Sequence, residues 1–451
     1  LAGTESLRPA MPVVNKYDKL GCGLIRRNLD MAAQHQEPRR NWLTRLGPGL
    51  ITGAADDDPS GIATYSQAGA QFGVNMLWTV VLTFPLMAAI QLICARIGRV
   101  TGSGLATNML QVLPKPLVIL LVALLLIANA VNIGADLSAM GAAARLVLGG
   151  NEALYAIGFG LLSLLLQVFV PYHRYVHFLK WMTLALFAYV AALFSATIDW
   201  KQVAAAVIWP ALPMTAATFT TIVAVFGTTI SPYLFFWQSA EEVEDAALKT
   251  GSGRLLDHSE EARPEFARMA LDTYIGMGFS NAIAFCIILT TAATLHQSGV
   301  QDISSAAQAA EALRPIAGDF AFFLFSLGII GTGLLALPVL AGSAAYAIGE
   351  LAGWRVGLEY QPLEARGFYG VIALAFALGL VMLFVPLDPI RALYWSAVLN
   401  GAIAVPLMAA IMVVATSRTH LGPYVATPAQ RFFGWAGTGV MALAALAMFI
   451  L

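Results

Sequence analysis

Side chains capable of chemistry are scarce in this chain, yet three carboxylates stand in a row within Ala54-Ala55-Asp56-Asp57-Asp58-Pro59-Ser60-Gly61. They interrupt an apolar segment that begins near Gly49, and a proline and a glycine follow within three residues. Charge plus helix breakers inside an apolar segment mark a candidate discontinuous membrane helix, the kind of break at which transporters bind ions. A second break, Phe226-Gly227-Thr228-Thr229-Ile230-Ser231-Pro232-Tyr233, carries hydroxyls instead of acids. Its proline removes a backbone hydrogen bond and frees a carbonyl to face a cavity. Taken alone, that segment also reads as an ordinary proline kink. Broken helices at corresponding positions of two halves point instead to a five-plus-five inverted repeat with a site at mid-membrane depth.

The elements that position these breaks follow from composition. The chain has 451 residues, 59% apolar and 11% charged, against roughly 25% charged in a soluble protein. With a mean hydropathy of +0.74, this is an all-α polytopic membrane protein. A net charge of -1 gives no sign of a nucleic-acid partner. Cys22, Cys94 and Cys286 lack metal-ligand spacing and read as packing thiols. No signal peptide is expected, and residues 1–45 form a polar, basic tail or an interfacial helix.

A span needs about 20 mostly apolar residues. Eleven are expected, near 49–72, 75–97, 116–146, 153–171, 176–197, 213–238, 269–294, 317–345, 367–387, 389–416 and 431–451. They divide the chain into a tail (1–45), a first repeat (46–198), a second repeat (199–417) and an appended eleventh span (418–451). Charge decides whether the first span crosses. If it does, Arg145, Lys201, Arg314 and Arg391 face outward and the other 21 Lys and Arg face the cytoplasm. The positive-inside rule therefore favours a crossing first span, a cytoplasmic N-terminus and a cell-membrane location. The run Ala240-Glu241-Glu242-Val243-Glu244-Asp245 reads as a solvated, salt-bridged helix. Gln301–Arg314 reads as an extracellular interfacial helix.

Gly47-Pro48-Gly49-Leu50 leading into Asp58-Pro59-Ser60-Gly61 resembles the first helix of the Nramp family of divalent-metal transporters. Ala95-Arg96-Ile97-Gly98 with Thr101-Gly102 resembles the end of its second helix, Gly227 to Ser239 its sixth, and Asn281 an asparagine of its seventh. The resemblance implies the leucine-transporter fold with broken helices 1 and 6. It implies that Asp58 is the metal-binding aspartate and that the carbonyls of Ala55 and Thr228 face the ion or its waters. The departures are informative. Gly61 stands where the family usually has asparagine, Ser231 where it has methionine and Tyr233 where it has histidine. Asp136-Leu137-Ser138-Ala139 lacks a glutamate of the family's third helix. This combination resembles the Nramp-related magnesium transporters.

The chemistry of the residues agrees. Loss of a thioether leaves oxygen donors, which suit magnesium or manganese. Gly61 removes a side chain and is expected to enlarge the pocket, which suits a largely hydrated ion. The expected metal residues are Asp58, Ala55, Gly61, Thr228, Ser231 and Asp57, with Asp56, Thr229, Tyr233 and Asn400 as further polar lining. Three successive helical aspartates cannot all face one ion. An extra one lines an inner vestibule or bonds a freed backbone N–H. Asn400 and Ser396 are helix-packing groups or a ligand of the tenth span. Asp136 is expected to be a buried carboxylate bonded to Asn132 or a neighbouring helix, with a relay role as the other reading. No histidine lies mid-span, so movement without proton coupling is expected. No cofactor and no obligate protein partner are expected; the metal is substrate and the bilayer is solvent. A proton-coupled transition-metal carrier is the competing reading. An amino-acid carrier and an intramembrane hydrolase fit less well, the first because of the three acids, the second for want of a nucleophile–base pair.

Overall fold

A computed structural model describes residues 52–53, 55–170, 183–195, 198–248, 254–257, 260, 262–384 and 387–451. The expectations for residues 1–45, for Gly47-Pro48-Gly49-Leu50, for Cys22 and for the start of the fifth span lie outside these residues.

The described residues are helical, with no strand among them. The helices relevant to the site are α1 (Pro59–Phe72), α2 (Leu77–Thr101), α3 (Leu105–Val112), α4 (Lys115–Leu148), α5 (Glu152–Phe169), α6 (Phe187–Ser195), α7 (Trp200–Ile208), α8 (Ala216–Thr229), α9 (Pro232–Leu248) and α10 (Ala262–Thr291). They continue with α11 (Ala306–Glu311), α12 (Arg314–Ala317), α13 (Ala321–Ala352), α14 (Arg366–Val381), α15 (Pro389–Thr416), α16 (Arg418–Leu421) and α17 (Pro428–Ile450). Nine apolar helical segments among the described residues are long enough to cross a membrane. One of them, Pro59–Thr101, holds the second half of the first expected span and all of the second, and the shorter apolar stretch Leu184–Phe194 falls within the fifth. The other eight segments each fall on one further expected span, and parts of the first and fifth spans lie outside the described residues.

Helix starts follow local chemistry. Asp58, Asp388 and Thr427 each cap a helix whose next residue is proline. The cap accepts a backbone N–H that has no helical partner, and proline at the first position gives up a donor that would be unpaired anyway. In lipid this satisfaction is obligatory, since no water replaces a missing partner.

The halves of the first and sixth spans lie at the centre. α1 packs on α10, α15 and α8; α8 packs on α15 and α17; α9 packs on α2 and α13. Small residues allow the close approach. A Cβ at Gly227 would lie 2.1 Å from the Ala397 carbonyl oxygen, and one at Gly69 would lie 2.3 Å from that of Ile288. Backbone-to-backbone packing of this kind stabilises helices in lipid, where apolar surface alone gives no preference for protein over tail. The eleventh span is no loose appendage: α17 packs on α2, α8 and α15.

Two expectations about charged or amphipathic segments change. Ala240–Asp245 is the last part of α9, and Glu242 within it is fully buried beneath Arg268 of α10. Sequence charge alone does not reveal that α10 covers this face. Within Gln301–Arg314 the helix is shorter than expected, α11 alone before Arg314, and its Ala309 and Ala310 are buried against α4 and α13.

Candidate functional site

The first break is made by Asp57 and Asp58. Ala55 and Asp56 are helical, Asp57 bends and Asp58 is extended (φ -71°, ψ 170°) before α1 begins at Pro59. Asp58 is 1% exposed, and both its oxygens are engaged. Oδ1 accepts the Gly61 N–H at 2.8 Å and the Ser60 hydroxyl at 2.6 Å. Oδ2 accepts the Asn132 amide at 3.0 Å, and the Tyr233 hydroxyl lies 3.3 Å away. Each of these partners is neutral, so an ionised Asp58 has no counter-charge among them, and a cation beside it would supply one.

The second break faces it. α8 ends at Thr229, Ile230 leaves helical geometry (φ -110°, ψ 59°), and α9 restarts at Pro232. The two breaks share one device. A helical carbonyl accepts from the N–H four residues on. For Ala55 that residue is Pro59 and for Thr228 it is Pro232, and neither has an N–H. Both carbonyls find substitutes. The Tyr233 hydroxyl donates to Ala55 O at 3.1 Å, and the Ser231 hydroxyl donates to Thr228 O at 2.7 Å. One hydroxyl proton of Tyr233 serves either Ala55 O or Asp58 Oδ2 at a time, so one of those oxygens is always available. The Ser60 and Thr228 hydroxyls, 3.4 Å apart, join the two breaks directly.

The structure thus brings Asp58, Ala55, Thr228, Ser231 and Tyr233 together with Gly61. Thr229 turns back to Val225 O (2.6 Å) and meets the Tyr65 hydroxyl (3.0 Å). Asn400 reaches the site one step removed, donating to Asn132 Oδ1 at 3.4 Å. Ser396 bonds its own helix at Leu393 O. Asn281 donates to Val80 O on α2, away from the breaks. Asp56 and Asp57 face the other way, toward Ser280 of α10 at 2.7 and 3.0 Å. Among the described residues, no group of three His, Cys, Asp or Glu side chains is arranged to hold one ion.

Two expectations are corrected here. Gly61 opens no room in this conformation: a Cβ there would sit 3.3 Å from both Thr228 Oγ1 and Tyr65 Cε2, which occupy the space. Asp136 is buried, but neither of its oxygens has a hydrogen-bond partner, because Asn132 turns to Asp58 and Asn400 instead. Sequence reasoning passed over Ser60, Tyr65 and Ser280 as site residues and gave Asn132 only to Asp136. The available signal was that Asn132 precedes Asp136 by one helical turn, on the same buried face of α4.

The site is shut off at both ends. Toward one end, Tyr394 and Thr221 share a hydrogen bond of 2.8 Å below a cavity of about 410 Å³ lined by Gln67, Gln71, Thr220 and Arg391. Gln67 pins the 301–303 segment through Gln301 O and the Ile303 N–H, and Asp302 pairs with Arg391 at 2.8 Å. Toward the other end, Arg268 binds Glu242 and Glu265, Arg99 pairs with Glu265, and Gln238 links Thr52 to Glu242.

Comparison with known proteins gives a consistent picture. The family profile described as "Natural resistance-associated macrophage protein-like" matches residues 49–451. A relative from Acidiphilium cryptum, named divalent metal cation transporter MntH, is 26% identical over 420 residues, covering 89% of each chain. The protein of that name from Yersinia pestis is 28% identical over 322 residues, covering 70% of this chain and 72% of its own. In fold, the chain is similar to a manganese transporter of Eremococcus coleocola (TM-score 0.70, 18% identity, 91% of this chain and 87% of that one). It is also similar to Mhp1, a nucleobase-cation-symport-1 family transporter (TM-score 0.54, 15% identity, 90% and 92%).

Proposed function

This chain belongs to the Nramp family, and from that premise we propose that it carries divalent metal cations across a cell membrane, magnesium first and manganese second. The observation that carries the reading is the donor set at the two breaks. Asp58 supplies one carboxylate, and every other group that meets it or its neighbouring carbonyls is a neutral oxygen or amide: Ser60, Asn132, Tyr233 and Ser231. Hard oxygen donors suit magnesium and manganese, whereas a soft thioether favours later transition metals. Ser231 stands where the family usually has that thioether.

Magnesium dehydrates reluctantly and keeps several waters. One carboxylate with carbonyl and hydroxyl neighbours binds such an ion mainly through its waters. Because Gly61 leaves no void in the closed state, the hydrated ion enters when α1 and α8 separate at Thr228 and Tyr65. Closure at both ends supports an alternating-access cycle in which the Tyr394–Thr221 contact and the Arg268–Glu242 cluster open in turn. Residues 1–45 and the Arg268 end face the cytoplasm in this reading, following the distribution of basic residues. The two broken spans head a five-plus-five repeat (46–198 and 199–417). Tyr233 in place of histidine removes a group that titrates near neutral pH, and the ion moves without a coupled proton.

A second reading, proton-coupled manganese transport, is favoured by one observation: Asp136 is buried with both oxygens unpartnered. Uptake into proteoliposomes with one dye for magnesium and one for internal pH separates the two, with manganese in parallel and Asp58→Ala as control. Magnesium entry without acidification, abolished by the substitution, is the expected result. Acidification that tracks metal entry would return the protein to the proton-coupled carriers.

A further inference from the structure

Asp56 and Asp57 do not join Asp58. They lie on the opposite side of the break and share one group, the Ser280 hydroxyl of α10, at 2.7 Å from Asp56 Oδ2 and 3.0 Å from Asp57 Oδ1. A hydroxyl has one proton to donate, so it cannot satisfy two carboxylates. The other oxygen of Asp56, Oδ1, is buried and has no partner at all. Asp56 is 0% and Asp57 2% exposed, and neither forms an ion pair with a described lysine, arginine or histidine. Two buried carboxylates that are both ionised are strongly unfavourable without a counter-charge. Asp58 turns toward Asn132 and Tyr233, so its own partners give Asp56 and Asp57 no hydrogen bond.

We propose that Asp56, Asp57 and Ser280 form a second divalent-cation site, distinct from the one at Asp58. Two carboxylates offset the charge of one such ion, Asp56 Oδ1 is an unused ligand, and the serine oxygen accepts the ion once its proton points away. The donors are all hard oxygens, the class that magnesium and manganese take. The site also has a direction. Thr52, four residues before Asp56 in the chain, is buried as well. Thr52 meets Gln238 at 2.5 Å, and Gln238 lies within 3.4 Å of Glu242. The Thr52–Gln238–Glu242 line leads from the residues just before Asp56 to the Arg268 end. An ion leaving Asp58 steps to Asp56 and Asp57 before it exits there.

The inference rests on the transport reading, and the test keeps the two apart. Manganese, visible by electron paramagnetic resonance, is titrated into the purified full chain, and bound ions per chain are counted at saturation. Wild type is expected to hold two, Asp58→Ala one, and Asp56→Asn/Asp57→Asn one. Ser280→Ala, which deletes only a hydroxyl, is expected to weaken one of the two sites several-fold and leave the other unchanged, and it answers the question if the double variant does not fold. One ion in wild type that Asp58→Ala abolishes would overturn the second site and keep the transport reading. Two ions in the double variant, or two unchanged sites in Ser280→Ala, would also overturn it. Two ions in Asp58→Ala would leave the second site standing and remove Asp58 from the transport site.

Discussion

The two helix breaks use the same backbone device and opposite side-chain chemistry. In each, a proline four residues on withholds the N–H that a helical carbonyl needs, at Ala55 and at Thr228. The first break then adds three carboxylates, while the second adds only hydroxyls, those of Thr228, Thr229, Ser231 and Tyr233. The backbone device is shared, and the side chains differ in charge. In the proposed reading, charge on the first break decides whether a cation binds, and the dipoles of the second decide which cation. A carboxylate attracts any cation, but replacing one neutral donor by another changes the preference between hard and soft ions.

The comparison is open to test from the largest effect downward. Asp58→Ala removes the charge of the first break and is expected to lower magnesium uptake about 100-fold or more, the equivalent of roughly 2.7 kcal/mol in ion binding, read as initial rates in proteoliposomes. Pro59→Ala and Pro232→Ala restore an N–H at each break. Both are expected to slow transport about tenfold by capturing the freed carbonyl, an amide hydrogen bond being worth about 1 kcal/mol or more where no water competes. Equal effects would mark the two carbonyls as equivalent; an effect at Pro59 alone would assign the ion to the first break. Ser231→Met places a thioether on the second break. It is expected to raise the preference for manganese and cadmium over magnesium several-fold in competition assays, with total uptake little changed. Gly61→Asn brings a side chain against Thr228 and Tyr65 and is expected to reduce magnesium uptake by a smaller factor, through the closing step rather than binding.

Much of this was legible in the sequence. Apolar length marked the spans, and Pro59 and Pro232 inside two of them marked the breaks, because proline acts through its own chain neighbours. Contacts between distant segments were not legible. Asn132 on α4 and Ser280 on α10 meet the aspartates only after folding, and nothing in their local sequence sets them apart from helix-packing groups. The burial of Glu242 depends on α10 crossing above it, and a charge run carries no record of what covers it. Gly61 misled for a related reason: a missing side chain implies space only if no neighbour fills it, and here Thr228 and Tyr65 do. Asp136 lost its expected partner to Asp58, a competition between two acids for one amide that spacing along α4 does not disclose.

The central claim is that one charged break and one neutral break move a hard divalent ion on its electrical gradient alone. The most direct test is magnesium uptake into proteoliposomes with membrane potential and pH gradient set independently. A doubly charged ion entering at about -100 mV gains roughly 4.6 kcal/mol. The account predicts uptake that rises steeply with the potential, is unchanged by a pH gradient of either sign, and vanishes in Asp58→Ala. Accumulation driven by an inward proton gradient at zero potential would contradict it and make Asp136 the proton's carrier.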